Sequence, residues 1–277
     1  MWLYLALLVV LCSGPTLLDA VELRRKIWQS RIVNGKQIWI EDAPWQVALL
    51  NHSELSCGGS IISEDIILTA AQCLINTTAE QLTVRAGSSR WNSGGQLVKV
   101  SDFIIHQHFG EETHENDIAL LRLARPLRLG GVAQAIQIAK EYPANGADAF
   151  VSGWGASKYN RDCGCRSQLR GVWLKIIDRT TCAQSKYSMV GWAITKDMIC
   201  ASDQGKAACG RDAGGPLVSN NELVGIVSWG EGCAKPGFPG VYANVAYFAY
   251  WLQNAIDELH NNHHQSHYTT HSTTYAT

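Results

Sequence analysis

Short apolar runs separated by turn residues dominate this chain. Between residues 45 and 123 they are Trp45–Leu50, Gly59–Ile62, Ile66–Leu68, Leu82–Ala86, Leu97–Val100 and Ile118–Leu123. Ala149–Val151, Val172–Ile177, Leu223–Val227 and Val241–Val245 follow. Gly, Asn and Asp punctuate them. Many short strands at such spacing predict an all-β sandwich or barrel. One segment changes period. Val245, Phe248, Leu252, Ile256 and Leu259 recur every three or four residues, which predicts an amphipathic C-terminal helix over Ala246–Glu258.

Residues 259–277 are polar, almost without aliphatic side chains, and rich in histidine. That composition predicts a disordered, solubilising tail. It holds His260, His263, His264, His267 and His271, whose offsets would share one face if the helix ran on. Asn, Thr and Ser are poor helix formers, so no metal site is expected there.

At the other end, the apolar run Leu3–Leu11 is followed by small and helix-breaking residues. Residues 1–20 read as a secretory signal peptide, with cleavage after Ala20, despite lacking a basic start. The run is too short to span a bilayer comfortably. Residues 21–31 form a short basic leader ending at Arg31. The chain has 277 residues, 46% hydrophobic, and a formal net charge of −1. It can bury a full core, and nothing in the balance suggests a nucleic-acid or anionic-membrane partner.

Removing Cys12 with the signal leaves eight of the nine cysteines, an even number that argues for disulfides in a secreted chain. Their connectivity stays open on spacing alone. Cys163 and Cys165 could close a local ring, pair with another chain or form a redox pair. Asn51-His52-Ser53 and Asn76-Thr77-Thr78 fit the glycosylation sequon.

The chemistry concentrates in three segments. Cys209-Gly-Arg-Asp-Ala-Gly-Gly-Pro-Leu217 resembles the G-D-S-G-G-P signature of trypsin- and chymotrypsin-like serine proteases, with Ala213 in the serine slot. Leu68-Thr-Ala-Ala-Gln-Cys73 resembles the family's L-T-A-A-H-C, with Gln72 in the histidine slot. Asn116-Asp-Ile-Ala-Leu-Leu121 resembles its D-I-A-L-L, with Asp117 intact. A methyl group cannot attack a carbonyl, and a carboxamide does not shuttle protons near neutral pH. His106 and His108 fall where the family has structure remote from the triad.

The resemblance spans residues 32–258 and implies two six-stranded antiparallel β-barrels, a cleft between them and a C-terminal helix. It implies the pairings Cys57–Cys73, Cys182–Cys200 and Cys209–Cys233. Ile32-Val-Asn-Gly35 is similar to the family's mature start, so Arg31–Ile32 becomes an activation bond and Asp212 the partner of the new α-amino group. The oxyanion region becomes Arg211 and Ala213, with arginine where the family has glycine. The specificity pocket becomes Ala207, Ser228, Trp229, Gly230 and Gly240. Ala207 stands where trypsin-like members carry aspartate, which favours an apolar or aromatic guest over a basic one.

These residues together predict a secreted, non-catalytic protease homologue without cofactor. Its partner would be an extracellular protein held at the cleft; no nucleic acid or membrane is involved. The short leader resembles that of secreted insect trypsin-like chains. The alternatives are a weakly active endopeptidase with relocated chemistry and a metal-binding protein acting through its tail.

Overall fold

The computed structural model describes residues 34–155, 167–209 and 211–272, with side chains as far as Asn261. The chain enters through β1 (Lys36–Gln37) and then builds a first barrel. Its strands are β2 (Gln46–Asn51), β3 (Glu54–Ile61), β4 (Ile66–Thr69), β5 (Leu82–Ala86), β6 (Gln96–Ile105) and β7 (Ala119–Leu123), closed in the order β2-β3-β4-β7-β6-β5. Alternation sets which side faces in. Leu82, Val84 and Ala86 of β5 are buried while Thr83 and Arg85 are only partly so.

After β8 (Gln137–Ile138) a second barrel forms from β9 (Asp148–Gly153), β10 (Arg170–Ile177), β11 (Met198–Ser202), β12 (Pro216–Ser219), β13 (Glu222–Trp229) and β14 (Gly240–Asn244). It closes because β9 pairs with both β10 and β12. Both six-stranded rings are antiparallel. Outside them, β1 lies along β10, and β8 adds to β13 as a short parallel strand. Two short helices, α1 (Arg179–Ala183) and α2 (Lys186–Met189), start at the side-chain caps Asp178 and Ser185.

The barrels meet through backbone. The amide of Gly58 donates to Ala213 O at 2.8 Å, and Thr69 Oγ1 donates to Gly58 O at 2.8 Å. A Cβ on Gly58 would stand 2.9 Å from Gly215 Cα, so this approach requires glycine. Ser152 Oγ donates to Gln46 Oε1 across the same seam, at 2.7 Å. That seam holds the cleft.

A 3₁₀ turn (Val245–Phe248) leads into α3 (Ala249–Ser272). Phe248, Leu252, Ala255 and Leu259 are buried against the first barrel's core. The helix therefore begins near the expected place but continues well past Glu258, through most of the segment expected to be disordered. Two features account for this. Core packing supplies the nucleus, after which each residue adds one hydrogen bond at small propensity cost. No Gly or Pro follows Ala249.

Three disulfides tie the fold: Cys57–Cys73, Cys182–Cys200 and Cys209–Cys233. They are the pairings that the resemblance implied. Cys163 and Cys165 lie outside the described residues, as do the signal segment, the leader and the Arg31–Ile32 bond. Among the described residues, no helix is long and apolar enough to cross a membrane.

Candidate active-site cleft

Asp117 follows a left-handed Asn116 just before β7, and the next residue, Ile118, is fully buried. Its carboxylate is itself buried and accepts three hydrogen bonds from two neighbours. The Gln72 amide N–H donates to Oδ1 at 2.9 Å, and Gln72 Nε2 donates to Oδ2 at 2.5 Å. Ser228 Oγ also donates to Oδ2 at 2.5 Å, while Gln72 Nε2 donates again to Ser228 O at 2.9 Å. Burial raises the Asp117 pKa; the Ser228 and Gln72 hydrogen bonds and the nearby His114 oppose the rise. Gln72 thus spends its side-chain donors on Asp117 and Ser228, and its position is fixed by a 3₁₀ turn (Ala71–Leu74) locked by Cys73.

Beside this network opens a hollow of about 310 Å³. Gln72 and Ala213 line it, together with Ala207, Ser228, Trp229, Gly230 and Gly240. The structure therefore gathers both altered positions and all the expected pocket residues around one cavity. Ala213 is half-buried and carries only its methyl group into it.

Arg211 departs most from its neighbours. It adopts φ +69°, a left-handed backbone, in a turn where Asp212 N donates to Cys209 O at 2.9 Å. Glycine is the ordinary occupant of that third turn position. The guanidinium is drawn toward the first barrel, where Nη1 donates to Leu55 O at 3.3 Å. The side chain borders the cleft without being buried in it.

Asp212 is fully buried. Its Oδ1 accepts from Gly155 N at 2.8 Å and its Oδ2 from Cys209 N at 2.9 Å. Burial pushes its carboxyl up to about 7, against the pull of those two amides.

Two cleft residues escaped the sequence reading. Tyr242 is buried, lines the hollow, and has a hydroxyl without a hydrogen-bond partner among the described residues. Burial raises its pKa far above the usual phenol range. Its place on β14, paired with β11 and β13, follows from a strand pattern that marked it only as apolar core. His114 stacks on Trp229 with ring centroids 6.3 Å apart, and it too faces the hollow. Its signal was proximity in sequence to Asp117. Tyr187 and Trp192 back Trp229 from behind, Tyr187 Oη donating to Pro239 O at 2.7 Å.

His106 and His108 lie elsewhere, at the foot of α3. His106 packs against Phe248 and Trp251, and burial, then His108, lowers its pKa against an opposing pull from Asp197. Of the sequon residues, Asn51 donates through Nδ2 to Thr77 Oγ1 at 3.3 Å, while Asn76 is exposed. No three His, Cys, Asp or Glu side chains among the described residues converge as metal ligands.

Comparison with known proteins places this geometry. The family profile described as trypsin matches residues 32–252. Hypodermin-A of Hypoderma lineatum is 46% identical over 245 residues, which is 88% of this chain and 95% of that one. Trypsin alpha of Drosophila melanogaster is 46% identical over 229 residues, covering 83% and 89%. Among solved structures, neuropsin, a serine protease expressed in the limbic system of mouse brain, superposes with a TM-score of 0.73 at 31% identity. That match covers 80% of this chain and 99% of neuropsin.

Proposed function

The chain belongs to the trypsin family of serine proteases, and from its cleft we propose that it is a secreted, non-catalytic member that works by binding another extracellular protein. One observation carries the reading. The cavity that would hold a substrate meets a methyl group at Ala213, and beside it an amide at Gln72 whose donors are committed to Asp117 and Ser228. Relatives at 46% identity are named trypsins, so the proposal is a departure from theirs at two side chains within a retained frame.

The remaining cleft groups offer little substitute chemistry. His114 is an imidazole, but a base needs a nucleophile to activate. The Ser228 hydroxyl donates its hydrogen bond to Asp117, Tyr242 is buried with a raised pKa, and Cys209 and Cys233 are joined in a disulfide. For this class of enzyme, loss of the nucleophile lowers kcat by roughly 10⁶-fold. What survives is a binding surface. Ser228–Gly230 offers backbone to an extended polypeptide added as a strand, and the hollow beneath it takes an apolar or aromatic side chain over Ala207. A disulfide-tied fold and the apolar N-terminal run support secretion.

The test is catalytic. Purified mature protein, cut at Arg31–Ile32, is presented with peptide and ester libraries and with a serine-directed fluorophosphonate. The proposal expects neither turnover nor labelling. Specific labelling, or turnover that survives repurification and controls for contaminating protease, overturns it in favour of an active endopeptidase.

A further inference from the structure

A second cavity, of about 580 Å³, shares no lining residue with the cleft. Strand alternation builds its floor. Ala149 and Val151 of β9 and Val172 and Leu174 of β10 are buried in the second barrel's core, which turns Asp148, Phe150, Trp173 and Lys175 outward. Trp173 and Phe150 are directly opposite in register, with ring centroids 5.0 Å apart. A Cβ at Gly171 would overlap the Phe150 ring, so glycine there lets that ring lie across β10. Trp173 is nevertheless 58% exposed, leaving much of a large aromatic surface to solvent. The walls come from two tight turns. Asp42 ends a 3₁₀ turn (Ile40–Asp42), where its Oδ2 accepts from Trp39 N at 3.0 Å. Asn220 and Asn221 link β12 to β13 at φ +51° and +61°, the two left-handed residues that a type I′ hairpin needs. Ser219 Oγ donates to Asp148 O at 2.7 Å and ties that hairpin to β9.

We propose that this cavity binds a neutral pyranose sugar. A pyranose presents an apolar face of C–H groups and a rim of hydroxyls, each of which both donates and accepts. The exposed indole of Trp173 takes the first by dispersion over a flat, rigid surface. The rim needs acceptors and donors side by side: carboxylates accept, and carboxamides do both. Asp42, Asp148, Asn220 and Asn221 supply that mixture around the aromatic floor. Charge argues against an organic cation as the guest. Lys175 Nζ sits 2.8 Å from Asp148 Oδ1 and already offsets one of the two carboxylates, and Asp42 has one oxygen on a backbone amide. Each carboxylate keeps its second oxygen to accept from a hydroxyl. The volume falls in the ~300–1,000 Å³ range of small-molecule pockets. The site is independent of the cleft, and neither reading depends on the other.

The experiment uses mature full-length protein, stripped enzymatically of any glycan of its own. Three arms are titrated by calorimetry: free glucose, galactose, mannose and N-acetylglucosamine; oligosaccharides released from glycoproteins; and soluble fragments of chitin and β-glucan. Saturable binding at one site per chain is expected in at least one arm, and the arm that binds identifies the source of the sugar. Trp173→Ala removes an exposed side chain and should lower affinity about tenfold or more. Asn221→Gly keeps the left-handed turn but strips a carboxamide, and should lower it about fivefold. Tyr250→Ala deletes an equally exposed aromatic ring on α3, outside the cavity, and should change nothing. No saturable binding in any arm overturns the proposal, as does full affinity in Trp173→Ala or Asn221→Gly. Equal loss in Tyr250→Ala would mean indiscriminate stacking on surface aromatics, which also overturns it. So would binding of tetramethylammonium or N-acetyl-lysine methyl ester in place of sugar, which would make the cavity a seat for cationic side chains.

Discussion

Gln72 grips Asp117 at two points, its backbone amide on Oδ1 at 2.9 Å and its side-chain amide on Oδ2 at 2.5 Å. An imidazole at this position could also donate to the carboxylate, but it would keep a second nitrogen for the cleft. The carboxamide instead turns its remaining donor to Ser228 O. The substitution therefore preserves the polar network that lets Asp117 be buried, and removes only its use as a proton relay.

Removing the grip should cost stability. Gln72→Met keeps the backbone contact and most of the volume but strips two side-chain hydrogen bonds, one to a buried carboxylate. Unfolding in urea should show a loss of about 1–3 kcal/mol. The Asp117 pKa, already raised by burial, should rise further. In an Asp117→Asn background the cost of Gln72→Met should shrink, since the charge to be satisfied is gone. Additive losses would mean that Gln72 does not act through Asp117.

The Asp212 carboxyl gives a signed pH dependence. Its folded pKa of about 7 lies above the ordinary 3.8, so the folded state holds the proton more tightly than the unfolded one. Stability from this group is fully present below about pH 4 and is lost as pH rises through about 7. Asp117, also raised, acts in the same direction. Urea midpoints of the uncut protein should therefore fall across that window, and Asp212→Asn should flatten the fall. After cleavage at Arg31–Ile32, pairing with the new α-ammonium of Ile32 would lower the Asp212 pKa and remove its share of the decline. Identical profiles for cut and uncut protein would rule out that pairing.

Much of this fold is legible in the pattern of short apolar runs, and the part that is not has physical reasons. β5 and β10 stand out because every second residue faces the core. β11 escapes because Met198–Ala201 is buried without a break, so its run shows no alternation. β12 starts at Pro216 and hides inside the segment that draws attention for its chemistry. β1 and β8 are two residues each, below any period. At the cleft, Gln72, Asp117 and Ala213 could be picked out by local motif. Tyr242 and His114 could not, because what makes them cleft residues is the approach of strands and loops distant in sequence. The left-handed turn at Arg211 was foreseeable only as a missing glycine.

That turn supplies a stability test. An L residue in the left-handed region is strained by about 1–2 kcal/mol relative to glycine. Arg211→Gly relieves the strain but gives up a partly buried hydrogen bond to Leu55 O. Arg211→Ala gives up the same hydrogen bond and keeps the strain. The glycine variant should therefore unfold at higher urea than the alanine variant, by about 1 kcal/mol. Equal midpoints would mean that the backbone at 211 relaxes out of the left-handed region at no cost.

Rebuilding proteolysis is the most demanding consequence of the proposed function. Ala213→Ser alone supplies a hydroxyl with an amide beside it, and Gln72→His alone supplies a base with nothing to activate. Triad members act as a unit, so each single variant should be as inert as the parent, and the pair should show weak activity once cut at Arg31. Asp117 is already placed to orient the new imidazole, and Ser228 already bonds to it. Adding Arg211→Gly frees the turn that carries residue 213 and clears a side chain from the cleft border, so the triple variant should show a clear further gain. Cleavage should follow apolar or aromatic residues, because Ala207 offers no anion at the pocket and the Tyr242 hydroxyl stays neutral. Steady-state rates on a peptide library, for all variants cut at Arg31–Ile32, decide the matter. A triple variant that folds, is cut and stays inert would show that more than three side chains separate this cleft from a working protease.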